Sequence, residues 1–236
     1  GAGTLSVAKI DAATTSRIKG ITGTEHGVSL TADHASKIKQ SSAAASVSAA
    51  LASAAAGAGI GVVNDDSSTT AELADSTLAV NKAAGSTETG AVDIAARNKT
   101  DVSAAIIGVA VSEAAAGLNV SVNDLDSAVK SSLTGSTVTA DGAASITADN
   151  AVTTGFVLSA DSAAGAAAAV GLGINAIDTS TSTEVGGSTL TAESITDKAS
   201  EELDVHQTMS GATVGGLGLN ANVMVTSIGK ALEDQY

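Results

Sequence analysis

The sequence predicts an all-β fold: a right-handed parallel β-helix, or β-solenoid, with a narrow core packed by alanine, valine and isoleucine. Three observations lead to this fold class. Strand-like segments recur along the chain, proline is absent, and aromatic residues make up only 1% of the 236 residues. Globular cores take much of their buried area from aromatic side chains, and here only Phe156 and Tyr236 are aromatic. The interior is therefore expected to be thin.

A first recurring segment shows the alternation of a half-buried strand. In residues 28–34 the apolar Val28, Leu30 and Ala32 alternate with polar neighbours, which is the period of two that strands require. The segment reads VSLTADH at 28–34, VDIAARN at 92–98, ASITADN at 144–150 and, more loosely, TLTAES at 189–194. These segments are predicted to be strands.

Two further segments recur with the first. One reads GIGVVND at 59–65, GLNVSVND at 117–124, GLGINAID at 171–178 and GLGLNANV at 216–223; the other reads DSTLAV at 75–80, GSTVTA at 135–140 and GSTLTA at 187–192. The leading glycines of the former lie 58, 54 and 45 residues apart, so residues 1–236 form a single segment of imperfect repeats of roughly 45–60 residues. We expect it to be a fragment or a repeated subunit of a larger assembly.

Several strands per repeat, separated by Gly, Asn, Asp and Ser, suit stacked rungs. A rung of roughly 20 residues would give a rod on the order of 55 Å long. The absence of proline favours continuous pairing, because proline would remove a backbone donor from each ladder. Two alternatives stay open: an antiparallel sandwich, and a helix over the alanine-rich residues 41–56.

The formal net charge of −14 repels the phosphates of nucleic acids and anionic lipids. Nucleic acid is therefore excluded as a partner, as is direct membrane insertion, because the longest uncharged stretch is only weakly apolar. The charge is uneven, since residues 1–40 carry five Lys or Arg against three Asp or Glu and the rest is acidic. This asymmetry would favour head-to-tail matching between copies.

No catalytic, cofactor-binding or metal-binding residues are predicted, and no small-molecule substrate. His26, His34 and His206 stand alone in sequence and are expected to be exposed. The glycine pairs 57/59 and 171/173 lack the third glycine of a dinucleotide fingerprint and are interpreted as turn or packing glycines. The acidic stretches 64–66 and 123–126 are interpreted as solvated turns, with Ca²⁺ the one ion that their oxygen atoms would suit. Asn98 and Asn119 begin glycosylation sequons.

The cadence of GLGINAID, of TSTSTEVGGSTLTA and of the segment that follows resembles the repeats of very large bacterial surface proteins. These are leukotoxin-like filamentous adhesins and haemagglutinin-type or autotransporter passengers, and the resemblance runs from about residue 28 to 230. It implies a parallel β-helix secreted to the extracellular face of a bacterial cell, where the larger assembly would be a surface assembly. An export signal is expected to have been removed or to lie outside this segment.

These patterns together predict a structural or adhesive segment rather than an enzyme. It would form a stiff stalk or fibre that mediates attachment, cell–cell contact or biofilm formation. Its partners would be copies of itself, joined end to end, or a receptor on a host or bacterial surface. The alternative is a surface-layer lattice protein assembled with the help of calcium; a carbohydrate-active β-helix enzyme is a more remote one.

Overall fold

The computed structural model describes residues 1–48, 54–85 and 89–229. Within these residues the chain forms 14 strands and no helix, and hence no helix that could cross a membrane. The strands are β1 (Ala2–Lys19), β2 (Thr22–Glu25), β3 (Val28–Val47), β4 (Ala54–Ala74), β5 (Thr77–Val80), β6 (Val92–Val111), β7 (Ala114–Thr134), β8 (Thr137–Ala140), β9 (Ala143–Ala163), β10 (Ala166–Gly186), β11 (Thr189–Thr191), β12 (Ser194–Ser210), β13 (Thr213–Val214) and β14 (Leu217–Ile228).

The strands form three sheets, each built from every successive turn of the chain. Sheet A has the order β1-β4-β7-β10-β14, sheet B the order β2-β5-β8-β11, and sheet C the order β3-β6-β9-β12, with β13 also pairing with β9. Every pairing is parallel. The all-β prediction is confirmed, as are parallel sheets stacked in chain order, and the antiparallel sandwich is wrong.

The alanine-rich stretch that left a helix open is strand where it is described. Residues 41–47 belong to β3 and residues 54–56 to β4, and residues 49–53 lie outside the described part of the chain. Serine and glycine between the alanines break a helical stripe, whereas alternate small side chains fit between two closely spaced sheets.

Each coil is much longer than the expected rung of 20 residues. Ala54 pairs with Ala114, Ala114 with Ala166 and Ala166 with Leu217, so successive coils take 60, 52 and 51 residues. A coil contains two long strands, from sheets A and C, and one strand of three or four residues from sheet B. Five stacked strands span about 24 Å and a 20-residue strand about 65 Å, so the molecule is a flat slab wider than it is tall. The predicted thin rod is wrong because alternation continues through residues that were interpreted as turns.

Most of the recurring segments pair with each other in the sheets. One segment was assigned to the wrong family, and the second family pairs with its leading glycines out of register. The first family stacks in exact register, with Val28 on Val92 and Val92 on Ala144. The loose member TLTAES was assigned wrongly, because residues 189–191 pair with β8 in sheet B. The second family is shifted: Gly59 pairs with Asn119 rather than with the leading glycine two residues earlier.

The third family marks the corner between sheets A and B. Gly20, Gly135 and Gly187 have positive φ angles of 70°, 57° and 59°, and Asp75 takes the same position with φ of 50°. This left-handed backbone favours glycine and tolerates aspartate. The serine that follows in three of the coils extends the ladder through its side chain; for example, the Ser76 amide donates to Ser136 Oγ at 3.0 Å.

The space between sheets A and C narrows along the coil. Beside sheet B, at what we call the broad end, large aliphatic residues fill the interior; they include Leu30, Leu73, Ile94, Leu133 and Ile146. At the opposite thin end the buried cluster consists of alanines at 55, 110 and 115. A Cβ atom built on Gly57 of β4 would lie 2.6 Å from the carbonyl oxygen of Val109 in sheet C. The two backbones therefore almost touch at the thin end.

Candidate functional site

A layer of polar side chains crosses the interior between two aliphatic clusters. Asn98 of β6 and its register partner Asn150 of β9 are buried, and the Asn98 Nδ2 donates to Asn150 Oδ1 at 2.9 Å. The same Nδ2 donates to Ser127 Oγ of the facing sheet at 2.7 Å. A one-residue slip would move these amides to the outer face, so the layer fixes the register of the coils.

A titratable pair lies in the same layer, one coil nearer to β1. Asp65 of β4 is 2% exposed, and its Oδ2 accepts a hydrogen bond from Ser36 Oγ at 3.3 Å, while Oδ1 has no partner. His34 of β3 points inward, with Nδ1 3.4 Å from Thr14 Oγ1 and a buried Nε2 that has no partner. The expectation that all three histidines are exposed is thus wrong for His34. His26 and His206 are exposed, the latter 3.0 Å from an Asp204 carboxylate oxygen.

The environment of Asp65 disfavours its charge. Burial raises the pKa of the Asp65 carboxyl above its usual value, and the Ser36 hydrogen bond and the charge of His34 oppose that rise. A carboxyl in this position is a cost to the folded state at neutral pH unless a proton or a cation neutralises it. Its neighbours on the adjacent coils are the aliphatic Ile10 and Leu125.

The two acidic stretches are not turns but the middles of long strands. Asp65 and Asn123 point inward, whereas Asp66 and Asp126 point outward. The outward aspartates stack in register on sheet A, and this aspartate column consists of Asp11, Asp66, Asp126 and Asp178. Burial, and then the charges of Asp66, Asp178 and Asp124, raise the pKa of Asp126.

Oppositely charged side chains also stack between coils. Lys37 and Asp101 are register partners 2.8 Å apart, and Arg17 and Glu72 are register partners 2.9 Å apart. The Lys37 hydrogen bond is the main reason that the pKa of Asp101 is lowered. Both pairs are largely exposed and each adds little stability. They show that oppositely charged residues of adjacent coils pair in register.

The glycine pairs and the sequons take structural positions. Gly57, Gly59, Gly171 and Gly173 lie inside strands, so they are packing glycines and not turn glycines. A Cβ on Gly59 would lie 2.8 Å from Asn119 Oδ1, which accepts the Gly59 amide at 3.0 Å. Asn119 is fully buried and Asn98 is 4% exposed, so neither sequon presents its amide to a glycosylating enzyme in the folded chain.

A feature that the sequence analysis missed is the outer face of sheet A at the thin end. Outward residues that pair in register across the strands of a sheet form a column. At the thin end five successive columns of sheet A contain only apolar residues and glycine, and we call this surface the apolar face. The signal was present in the sequence, because residues 54–63 are apolar or glycine at both parities, which indicates a strand that is apolar on both faces. The columns include Leu5, Ile60, Val120, Leu172, Val223 and Val7, Val62, Val122, Ile174, Val225, with alanines, leucines and Val170 nearer the rim.

Comparison with known proteins does not assign the chain to a family. No protein-family model, no curated protein and no solved structure matches it. Among residues 1–48, 54–85 and 89–229, no group of three or more His, Asp or Glu side chains is placed to hold a metal ion.

Proposed function

We propose that the chain is a structural or adhesive segment of a bacterial extracellular surface protein, coiled as a right-handed parallel β-helix. It would act as a stiff stalk or fibre element that mediates attachment, cell–cell contact or biofilm formation, and it would not be an enzyme. The observation that carries the proposal is the parallel pairing of all three sheets through four successive coils, which sheet A continues into a fifth. Right-handed coiling is expected because parallel crossovers are right-handed in nearly all proteins.

The two ends of the stack support association with further copies. Sheet A ends in β1 and β14, and sheet C in β3 and β12, and each of these strands leaves one edge unpaired among the described residues. Inward side chains on the last strands are also uncovered, with Ile195 54% and Ile228 58% exposed. Open edges and uncovered apolar side chains are templates for another chain.

Charge supports a head-to-tail order in this association. The first coil carries Lys37 on the outside of sheet C, and the same column ends in Asp204 on β12. In a copy joined head to tail, Lys37 would be the next charged residue of this column after Asp204, so that opposite charges meet across the junction. Because β14 is a fifth strand in sheet A and sheet C has four, such a copy can pair edge to edge only through its β1 on β14.

Electron microscopy of the purified chain over a range of concentrations tests this proposal. We expect slabs that join along the stacking direction into ribbons about 65 Å wide. The double variant Ile195→Lys/Ile228→Lys should prevent ribbon formation, because it puts positive charge on the inward side chains of both end strands at the junction. The matched control Thr196→Lys/Thr208→Lys adds the same charge outside the stack and should leave ribbon length unchanged. Single slabs at every concentration would contradict the proposal.

The surface-layer lattice protein is the alternative, and the aspartate column is the observation that favours it. Four stacked carboxylates repel each other, and a divalent cation between copies would relieve that repulsion. Two-dimensional sheets that form with Ca²⁺ and disperse with a chelator would favour the surface-layer function over the stalk. Adhesion to a host or bacterial receptor predicts that beads coated with the chain bind cells, and beads coated with the unfolded chain do not.

A further inference from the structure

The apolar face is too large to be ordinary surface. It spans five strands and five columns, which corresponds to about 24 Å by 33 Å, or roughly 800 Å². The largest apolar patch of a typical monomer covers about 300–600 Å². Individual side chains are well exposed, for example Leu118 at 45%, Val170 at 43% and Leu5 at 69%.

The boundary of the apolar face is sharp. Two columns beyond Val7, Val62 and Val122 the outward residues become the aspartate column. Beyond this column, towards sheet B, outward positions are mostly hydroxyl-bearing or charged, such as Ser180 and Ser182 of β10. The same sheet is therefore apolar outside at the thin end and polar outside at the broad end.

We propose that the apolar face binds the apolar face of a second copy of this chain, so that two slabs pack side by side through their A sheets. The area supports this occupant, because a stable dimer buries about 800 Å² on each partner. Two flat faces of stacked small and branched side chains can pack at the sheet-to-sheet distance of about 10 Å. This lateral contact is independent of the end-to-end association proposed above.

The aspartate column selects the symmetry of the pair. A two-fold axis parallel to the strands would place the two aspartate columns opposite each other and bring eight carboxylates together. A two-fold axis parallel to the stacking direction reverses the strand direction in the partner. Each aspartate column then lies beyond the thin end of the partner and does not face it. The columns are then more than about 50 Å apart, several Debye lengths at physiological salt. We infer the latter arrangement, in which the strands of the two A sheets run antiparallel.

The aspartate column also argues against a lipid surface as the occupant. A membrane with anionic headgroups would meet four stacked carboxylates beside the apolar face, in a chain with a net charge of −14. A second copy avoids this repulsion through the choice of axis. Flotation with vesicles of phosphatidylcholine and phosphatidylserine is included in the test, and binding there, with monomers in solution, would overturn the dimer.

Sedimentation equilibrium of the full chain is the first experiment. In the end variant Ile195→Lys/Ile228→Lys, which should not form ribbons, we expect a mass of twice 22.5 kDa in the micromolar range, and the substitutions below are made in this variant. Val170→Asp places a carboxylate at the centre of the face and should weaken dimerisation more than 100-fold. Ser182→Asp, outward on the same strand but beyond the aspartate column, is the matched control and should dimerise like the end variant itself. Circular dichroism and melting temperature show whether both variants keep the fold.

A distance measurement separates the two symmetries. The chain has no cysteine, so Ser180→Cys supplies a single thiol for fluorescent labels outside the apolar face. The inferred axis puts the two labels about 65 Å apart, which gives weak energy transfer, whereas the other axis puts them within about 20 Å. Strong transfer would overturn the symmetry. A monomeric end variant, or equal loss of dimer in Val170→Asp and Ser182→Asp, would overturn the proposed interface.

The two associations fail separately. The end variant Ile195→Lys/Ile228→Lys should remove ribbons and leave a dimer of 45 kDa, twice the chain mass of 22.5 kDa. Val170→Asp alone should leave ribbons that consist of one row of slabs, without a second row packed on the A sheets. Loss of both associations in either variant would show that they share one surface, which contradicts the lateral interface.

Discussion

The broad and thin ends of the same two sheets are held together in different ways. At the broad end Leu73 and Leu133 of sheet A are fully buried beside Ile94 and Ile146 of sheet C. At the thin end glycine and alanine bring the two backbones into contact, as Gly57 does with Val109. Burial of large aliphatic side chains stabilises the first region, and close packing of backbone atoms stabilises the second.

This difference also separates the outer surfaces. At the broad end the large residues face inward and the outside of sheet A is polar, so alternation is clear. Towards the thin end, glycines of sheet A such as Gly61 and Gly171 leave the interior to Ile106 and Leu158 of sheet C. The branched residues of sheet A at this end, among them Ile60 and Leu118, face outward instead and form the apolar face.

The largest effect is expected from a cavity at the broad end. Leu133→Ala removes a side chain that is 1% exposed and should lower the free energy of unfolding by about 3 kcal/mol. Val157→Ala, on the outer face of sheet C and 42% exposed, is the control and should cost less than about 1 kcal/mol. Urea denaturation followed by circular dichroism measures both. Equal losses would mean that the broad end is not the better packed region.

At the thin end the damaging substitution goes the other way, from small to large. Gly57→Ala sets a methyl group 2.6 Å from the Val109 carbonyl oxygen and 3.3 Å from that of Ala44, both of them backbone atoms. Separation of the sheets should cost about 1–3 kcal/mol.

Gly155→Ala is the matched control for this substitution, because nothing lies within 4 Å of its added methyl group. Its stability should equal or slightly exceed that of the wild type, since alanine loses less backbone entropy on folding. If Gly57→Ala were as stable as Gly155→Ala in urea, direct contact between the backbones at the thin end would be excluded.

Alternation predicted the strands and their repeats well, because it is set by local geometry. The parity of Val28, Leu30 and Ala32 also places His34 inside, so this position could have been predicted from the same pattern. Asn and Asp at 64–66 were interpreted as a turn because these residues favour turns in isolation. Only the neighbouring coils, with Ile10 and Leu125 beside Asp65, keep that segment extended.

Coil length and register could be predicted less well, because they depend on contacts between residues more than 50 positions apart. Leading glycines suggested a spacing of 58 residues where β4 and β7 pair at 60. The register instead follows Asn119, whose side chain accepts the Gly59 amide. The apolar face was missed because the apolar residues were expected to lie in the interior. At the thin end most of the branched apolar residues of sheet A lie on the outer surface instead.

The smallest expected effect is a gain in stability at the layer between the two ends. Asp65→Leu continues the aliphatic column of Ile10 and Leu125, while Ser36 keeps its hydrogen bond to Thr100 Oγ1 at 3.1 Å. Replacing a buried, half-partnered carboxylate by a leucine should stabilise the fold by about 1–2 kcal/mol at neutral pH. Asp65→Asn removes the charge while keeping the shape and should give part of this gain.

The gain should depend on pH, and its sign follows from the raised pKa of Asp65. Burial raises that pKa above 3.8, so ionisation costs stability in the wild type as the pH rises from 3.8 through the raised value. Below 3.8 the carboxyl is neutral in both states and the cost disappears. The difference between Asp65→Leu and the wild type in urea midpoint should thus shrink on acidification. A difference independent of pH at position 65 would mean that folding leaves the pKa of the Asp65 carboxyl unchanged.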